Sequence, residues 1–88
     1  MKNEIDTSMA LQAFEKVMLL GDKTEQGKIF EGLEAYTDFD GYNVYLSGNG
    51  VTLHIGFHNT YHLDYAQEHQ KQSFLKKLQY VAKLATAN

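Results

Sequence analysis

The sequence predicts an α+β fold in which two helices flank a run of antiparallel strands. Apolar residues recur at helical spacing near both ends of the 88-residue chain and alternate with polar residues in the middle. Asn49-Gly50 lies between two alternating segments and predicts a hairpin, because a type I′ turn requires positive φ at both central residues. We expect the order α-β-β-β-(β)-α, a three- or four-stranded antiparallel meander with both helices packed on one face.

The first helix is predicted from an apolar stripe with a period of 3.6 residues. The stripe consists of Ala10, Leu11, Phe14, Val17 and Met18. Asp6, Thr7 or Ser8 can accept the first free backbone N–H groups, and Gly21 is expected to end the helix in the left-handed conformation. The polar segment Asp22–Gly27 predicts a loop.

The last helix carries a second stripe of the same period. Its members are Phe74, Leu75, Leu78, Val81, Ala82 and Ala85. Asp64 with Gln67 three residues later fits a capping box, which predicts that this helix begins near Tyr65.

Between the helices the apolar period is two, which is typical of half-buried strands. The predicted strands are 28–37, 42–47 and 51–57, with turns at Asp38–Gly41, Asn49-Gly50 and 58–60. The segment Tyr61–Asp64 reads as a fourth strand or as an irregular lead into the last helix.

These turns predict which residues face each other across the strands. Apolar residues then pair with one another, namely Ala35 with Val44, Leu46 with Leu53 and Ile55 with Leu63. The opposite face gains one row of Glu34, Tyr45, His54 and Asp64, and a neighbouring row of Tyr36, Asn43, Gly56 and His62. With both helices on the apolar face, this polar and aromatic face stays uncovered.

The uncovered face is the predicted binding surface, with five residues as its centre. They are Tyr36, Tyr45, His54, His62 and Asp64. Aromatic and polar side chains on an open sheet suit a protein or small-molecule partner, or a second copy of the chain in a homodimer. The leading hypothesis is a non-enzymatic binding or regulatory module that self-associates, although an ordinary solvated sheet face explains the same pattern.

Two other functions remain open. In the first, Asp64 orients His54 for acid–base or hydrolytic chemistry, with Tyr45 as a neighbouring donor. In the second, the last helix binds an anionic partner weakly, because residues 69–88 carry four lysines and no acidic residue. The same lysines also complement the dipole of their own helix.

Composition excludes several classes of protein. The chain has no cysteine, and therefore neither disulfides nor thiolate chemistry, and no apolar run long enough to span a membrane. It lacks arginine, so specific nucleic-acid recognition is not expected. The spacing of His54, His58 and His62 suits metal binding only on a helix, so no metal site or cofactor is predicted. We expect a single domain over 1–88 and, without a secretory signal, a cytoplasmic location.

Two segments carry a resemblance to a known family. They are FEGLEAYTDFDGY at Phe30–Tyr42 and FHNTYH at Phe57–His62. With them the chain resembles a small bacterial family described only as a domain of unknown function. The resemblance implies a cytoplasmic, stand-alone bacterial protein, and it brings no activity, cofactor or catalytic residue.

Overall fold

The computed structural model describes residues 5–56 and 60–84, and these form two helices and one antiparallel sheet. In chain order the elements are α1 Thr7–Leu20, β1 Asp22–Lys23, β2 Gly27–Phe30, β3 Leu33–Thr37, β4 Val44–Gly48, β5 Val51–Ile55, β6 Tyr61–Asp64 and α2 Glu68–Ala82. The strands lie side by side in sequence order. The α+β class and the meander are therefore confirmed, whereas the expected three or four strands are six.

The two additional strands lie in segments where the sequence pattern predicts a loop and one long strand. The predicted strand 28–37 is a hairpin whose turn, Glu31-Gly32, has positive φ at both residues. The predicted loop before it contains β1, which pairs with β2. Across the new turn Phe30 opposes Leu33, so Ile29 lies on the polar face and not, as the uninterrupted alternation implied, on the apolar face.

Helix α1 begins and ends where the sequence predicts, but it ends for a different reason. The Asp6 carboxylate accepts hydrogen bonds from the backbone N–H groups of Ser8 at 2.9 Å and Met9 at 3.4 Å. Gly21 is extended and not left-handed. A Cβ at Gly21 would lie 2.6 Å from the Val17 carbonyl oxygen, so glycine is needed here for close approach of the backbone.

Helix α2 begins at Glu68, three residues later than predicted. Asp64 belongs to β6, where it opposes Thr52, and so it cannot cap the helix. Gln67 is the N-cap and forms the capping box with Gln70. The Lys16 ammonium group of α1 donates a hydrogen bond of 3.0 Å to the Ala82 carbonyl at the other end of α2.

The core lies between the helices and one face of the sheet. It is formed by Leu33, Ala35, Leu46, Val51, Leu53 and Ile55 of the strands together with Ala10, Ala13, Val17, Phe74, Leu78, Val81 and Ala82 of the helices. Because both helices cover this face, the strand residues between the core positions point away from the helical layer. No helix within residues 5–56 and 60–84 has the length and apolarity needed to cross a membrane.

The predicted strand register is correct at the central hairpin and wrong by two residues on either side. Leu46 opposes Leu53 as predicted, but Ala35 opposes Leu46, and Leu53 opposes Leu63. A shift of two residues leaves each side chain on its predicted face, because the side-chain period of a strand is also two. The predicted positions Phe57, His58 and Asn59 lie outside the described residues.

Candidate binding surface

Four aromatic side chains form a straight row across the uncovered face of the sheet. The row runs from Tyr36 on β3 through Tyr45 on β4 and His54 on β5 to His62 on β6, and each residue directly opposes the next. We call these four residues the ring row. The predicted register instead puts Tyr36 and His62 in one row with Asn43 and Gly56, and Tyr45 and His54 in the other row with Glu34 and Asp64. The corrected register therefore brings four of the five predicted surface residues into one line.

Three of the rings are stacked face to face. The centroids of Tyr36 and Tyr45 are 4.9 Å apart with ring planes inclined by 7°, and those of Tyr45 and His54 are 4.8 Å apart with planes inclined by 13°. All three side chains are partly buried, whereas His62 is exposed. Stacking holds each ring in one orientation, so the row presents a rigid aromatic surface to solvent.

Asp64 lies beside the ring row but not in it. It opposes Thr52, whereas the residue opposite His54 is His62. The part of the chain that the structure describes has no hydrogen bond between His54 and Asp64. Asp64 instead lines a shallow cavity of about 280 Å³ with Gly50, Thr52, Tyr65 and Ala66. The predicted pairing of His54 with Asp64 is therefore wrong.

The partner of His54 is Asn43, in the loop between β3 and β4. His54 Nε2 lies 2.8 Å from Asn43 Oδ1, and the Asn43 side-chain nitrogen donates a hydrogen bond to the Asp38 carboxylate. Because the carboxylate fixes the orientation of the amide, Asn43 presents an acceptor to the imidazole. Nε2 must then carry the proton, which leaves Nδ1 as the acceptor nitrogen of neutral His54.

The Asp38 carboxylate also shapes this loop. It accepts hydrogen bonds from the backbone N–H groups of Gly41 at 2.9 Å and Asn43 at 3.4 Å. Hydrogen bonding, above all from the Asn43 side chain, lowers the pKa of Asp38 below its usual 3.8. The sequence pattern predicts only a turn at Asp38. Its additional role is to orient the Asn43 amide through a hydrogen bond, and the signal for it is an Asp followed five residues later by Asn.

Ionisation of the tyrosine at the other end of the stack is disfavoured. Burial raises the pKa of the Tyr36 hydroxyl above 10.0, and the nearby charge of Glu34 and the neighbouring Tyr45 raise it further. Tyr36 therefore keeps its proton at neutral pH and can act as a hydrogen-bond donor at this end of the ring row.

The lysines of α2 are not equivalent. Lys71 is only 6% exposed, and its ammonium nitrogen lies 3.2 Å from the Glu68 carboxylate and 5.1 Å from the centroid of the Tyr65 ring. Lys76 and Lys77 are exposed. The positive surface expected for an anionic partner is therefore smaller than the sequence suggests, because Lys71 is buried by its own helix and the segment before it.

Within residues 5–56 and 60–84, no group of three or more His, Cys, Asp or Glu side chains is placed to hold a metal ion. His58, which belonged to the predicted histidine spacing, lies outside these residues.

Comparison with known proteins places the chain in a family. The profile of a family described as Protein of unknown function (DUF3081) matches residues 5–87. The chain belongs to the DUF3081 family. No curated protein and no solved structure matches this DUF3081 chain. The expected resemblance to a domain of unknown function is confirmed, and the family brings no activity to assign to the ring row of this DUF3081 protein.

Proposed function

We propose that the protein is a non-enzymatic binding module that self-associates as a homodimer, with the ring row at the centre of the contact. The proposal includes the bacterial, cytoplasmic setting that the family resemblance implies. The observation that carries it is the stack of Tyr36, Tyr45 and His54 on the face that neither helix covers. Rigid aromatic side chains are enriched at protein interfaces because they bury a large area at a low entropic cost.

A second copy suits this surface because the row complements itself. Two tyrosines occupy one half of the row and two histidines the other half. A two-fold axis in the plane of the contact, parallel to the strands and midway between Tyr45 and His54, pairs every tyrosine with a histidine of the second copy. Phenol hydroxyls donate hydrogen bonds and neutral imidazoles accept them, and Nδ1 of His54 is the acceptor nitrogen that Asn43 does not occupy.

Sedimentation velocity over a range of protein concentrations tests this proposal. The unmodified chain is expected to dimerise, and Tyr45→Ser is expected to raise the dimer dissociation constant at least thirtyfold, which corresponds to about 2 kcal/mol for a central interface aromatic. The matched control is Tyr80→Ser, since Tyr80 is an exposed tyrosine on α2, in the helical layer. It should leave the dissociation constant unchanged.

Two results contradict the proposal. One is a chain that stays monomeric at every concentration tested. The other is an equal weakening by Tyr45→Ser and Tyr80→Ser, because that would locate the contact elsewhere.

Acid–base catalysis is a second candidate, and one observation favours it. The hydrogen bonds from Asp38 through Asn43 to His54 fix the tautomer of the imidazole, as a general base requires. Hydrolysis of p-nitrophenyl acetate above the buffer rate, lost in His54→Gln and reduced in Asp38→Asn, would support this function. A rate that His54→Gln leaves unchanged would remove it.

A further inference from the structure

A second cavity lies on the opposite side of the sheet from the ring row, where two hairpin turns meet α2. Its volume is about 300 Å³, near the lower limit for small-molecule sites. Leu33 and Phe74, core residues that are each 1% exposed, lie at its apolar bottom. The polar lining comes from Glu31 and Asn49 of the turns and from Ser73 and Lys77 of α2.

The turns that border the cavity are held together at the level of the backbone. A Cβ at Gly48 would lie 2.6 Å from the Gly32 carbonyl oxygen, so the ends of the two hairpins are in close contact.

Glu31 and Asn49 both have positive φ, at 54° and 52°. Asparagine is a common choice for this conformation, whereas glutamate is not. The turn itself therefore does not explain why residue 31 is a glutamate.

Two opposite charges border this cavity without neutralising each other. Glu31 and Lys77 are both exposed, and neither has an ion pair with any residue in 5–56 or 60–84. Ser73 precedes Lys77 by one helical turn, so its hydroxyl lies on the same side of α2 as the ammonium group. The lining thus offers a cation and a hydroxyl on the helix, a carboxylate on the turn, and an apolar floor.

We propose that this cavity binds a small zwitterion with an apolar body, of the class of aliphatic amino acids. Lys77 and Ser73 bind the carboxylate of the ligand, Glu31 binds its ammonium group, and Leu33 and Phe74 contact its apolar side chain. Charge-assisted hydrogen bonds at both ends account for the selection of a zwitterion over a singly charged molecule of the same shape. The site is separate from the ring row, so it does not depend on the proposed dimer.

Titrations followed by ¹H–¹⁵N NMR test the proposal with three probes of similar shape. The probes are L-leucine, 4-methylpentanoate, which lacks the ammonium group, and isopentylamine, which lacks the carboxylate. L-Leucine is expected to cause saturable shifts at the amides of Gly32, Gly48 and Asn49, and to bind at least tenfold more tightly than either singly charged probe.

Single substitutions distinguish the two charged contacts. Lys77→Met and Glu31→Gln are each expected to weaken L-leucine binding about tenfold, and Lys76→Met, on the neighbouring exposed position of α2, should leave it unchanged. All three positions are exposed, so an undisturbed spectrum of the free variant will confirm that it folds. Absence of saturable shifts, equal binding of 4-methylpentanoate, or an equal effect of Lys76→Met would each overturn the proposal.

Discussion

Tyr45 is the middle ring of the stack, and its replacement by alanine removes two stacking contacts at once. Its ring centroid is 4.9 Å from that of Tyr36 and 4.8 Å from that of His54. Stacked pairs at this separation contribute about 0.5–1.5 kcal/mol each beyond the burial of area. We therefore expect Tyr45→Ala to lower the free energy of unfolding by about 1–3 kcal/mol through lost stacking.

Double-mutant cycles separate this stacking from the general cost of truncation. The pairs Tyr36/Tyr45 and Tyr45/His54 should each show a coupling energy of about 1 kcal/mol. The pair Tyr36/His54 is the internal control, because two strand spacings, or roughly 9.6 Å, separate these residues. Its coupling energy should be near zero, within about 0.3–0.5 kcal/mol.

Urea unfolding at low protein concentration is the appropriate assay. Each cycle is repeated at a second concentration, and identical midpoints will show that self-association does not contribute. Coupling within error of zero for both neighbouring pairs would refute the assignment of stability to stacking. Equal coupling in the Tyr36/His54 control would show instead that the residues interact through a general change in the sheet.

Three further predictions concern the parts of the fold that position the site. Gly27→Ala should lower the free energy of unfolding by more than about 2 kcal/mol, because the new Cβ would lie 1.9 Å from the Ala35 carbonyl oxygen. Gly32→Ala is the control and should cost only about 1–2 kcal/mol for its φ of +81°, since its Cβ would meet nothing within 4 Å. Equal urea midpoints of the two variants would contradict the close approach of β2 and β3. Lys16→Met should lower the free energy of unfolding by about 1 kcal/mol, because it removes the hydrogen bond to the Ala82 carbonyl. Thermal unfolding measures this loss, and Lys76→Met, at an exposed lysine on α2, should show none. The pKa of Asp38 is lowered in the folded chain from its usual 3.8, so the contribution of this carboxylate to stability is complete above pH 3.8 and is lost as the pH falls through its lower folded pKa. An NMR titration should place the Asp38 midpoint below 3.8, and Asp38→Asn should remove this part of the acid dependence. A midpoint at or above 3.8 would contradict the hydrogen bonding assigned to the loop.

Two of the wrong predictions have one cause: a local sequence pattern does not show where a strand ends and a turn or helix begins. The apolar alternation through residues 28–37 conceals the Glu31-Gly32 turn, because glutamate gives no turn signal and strand-like residues stand on both sides of it. The later start of α2 has a similar origin. Asp64 fits a capping pattern, but pairing with β5 keeps it in a strand.

The sequence by itself determined the class of the fold, the central hairpin and the face on which each of the five predicted surface residues lies. Tyr36, Tyr45, His54 and His62 share the uncovered face under either register, because faces depend only on a period of two. Only the tertiary structure decided that these four residues form one row. The lengths of the flanking loops set the register, and the loop before β4 is fixed by hydrogen bonds between Asp38 and the Gly41–Asn43 backbone, which no periodicity encodes.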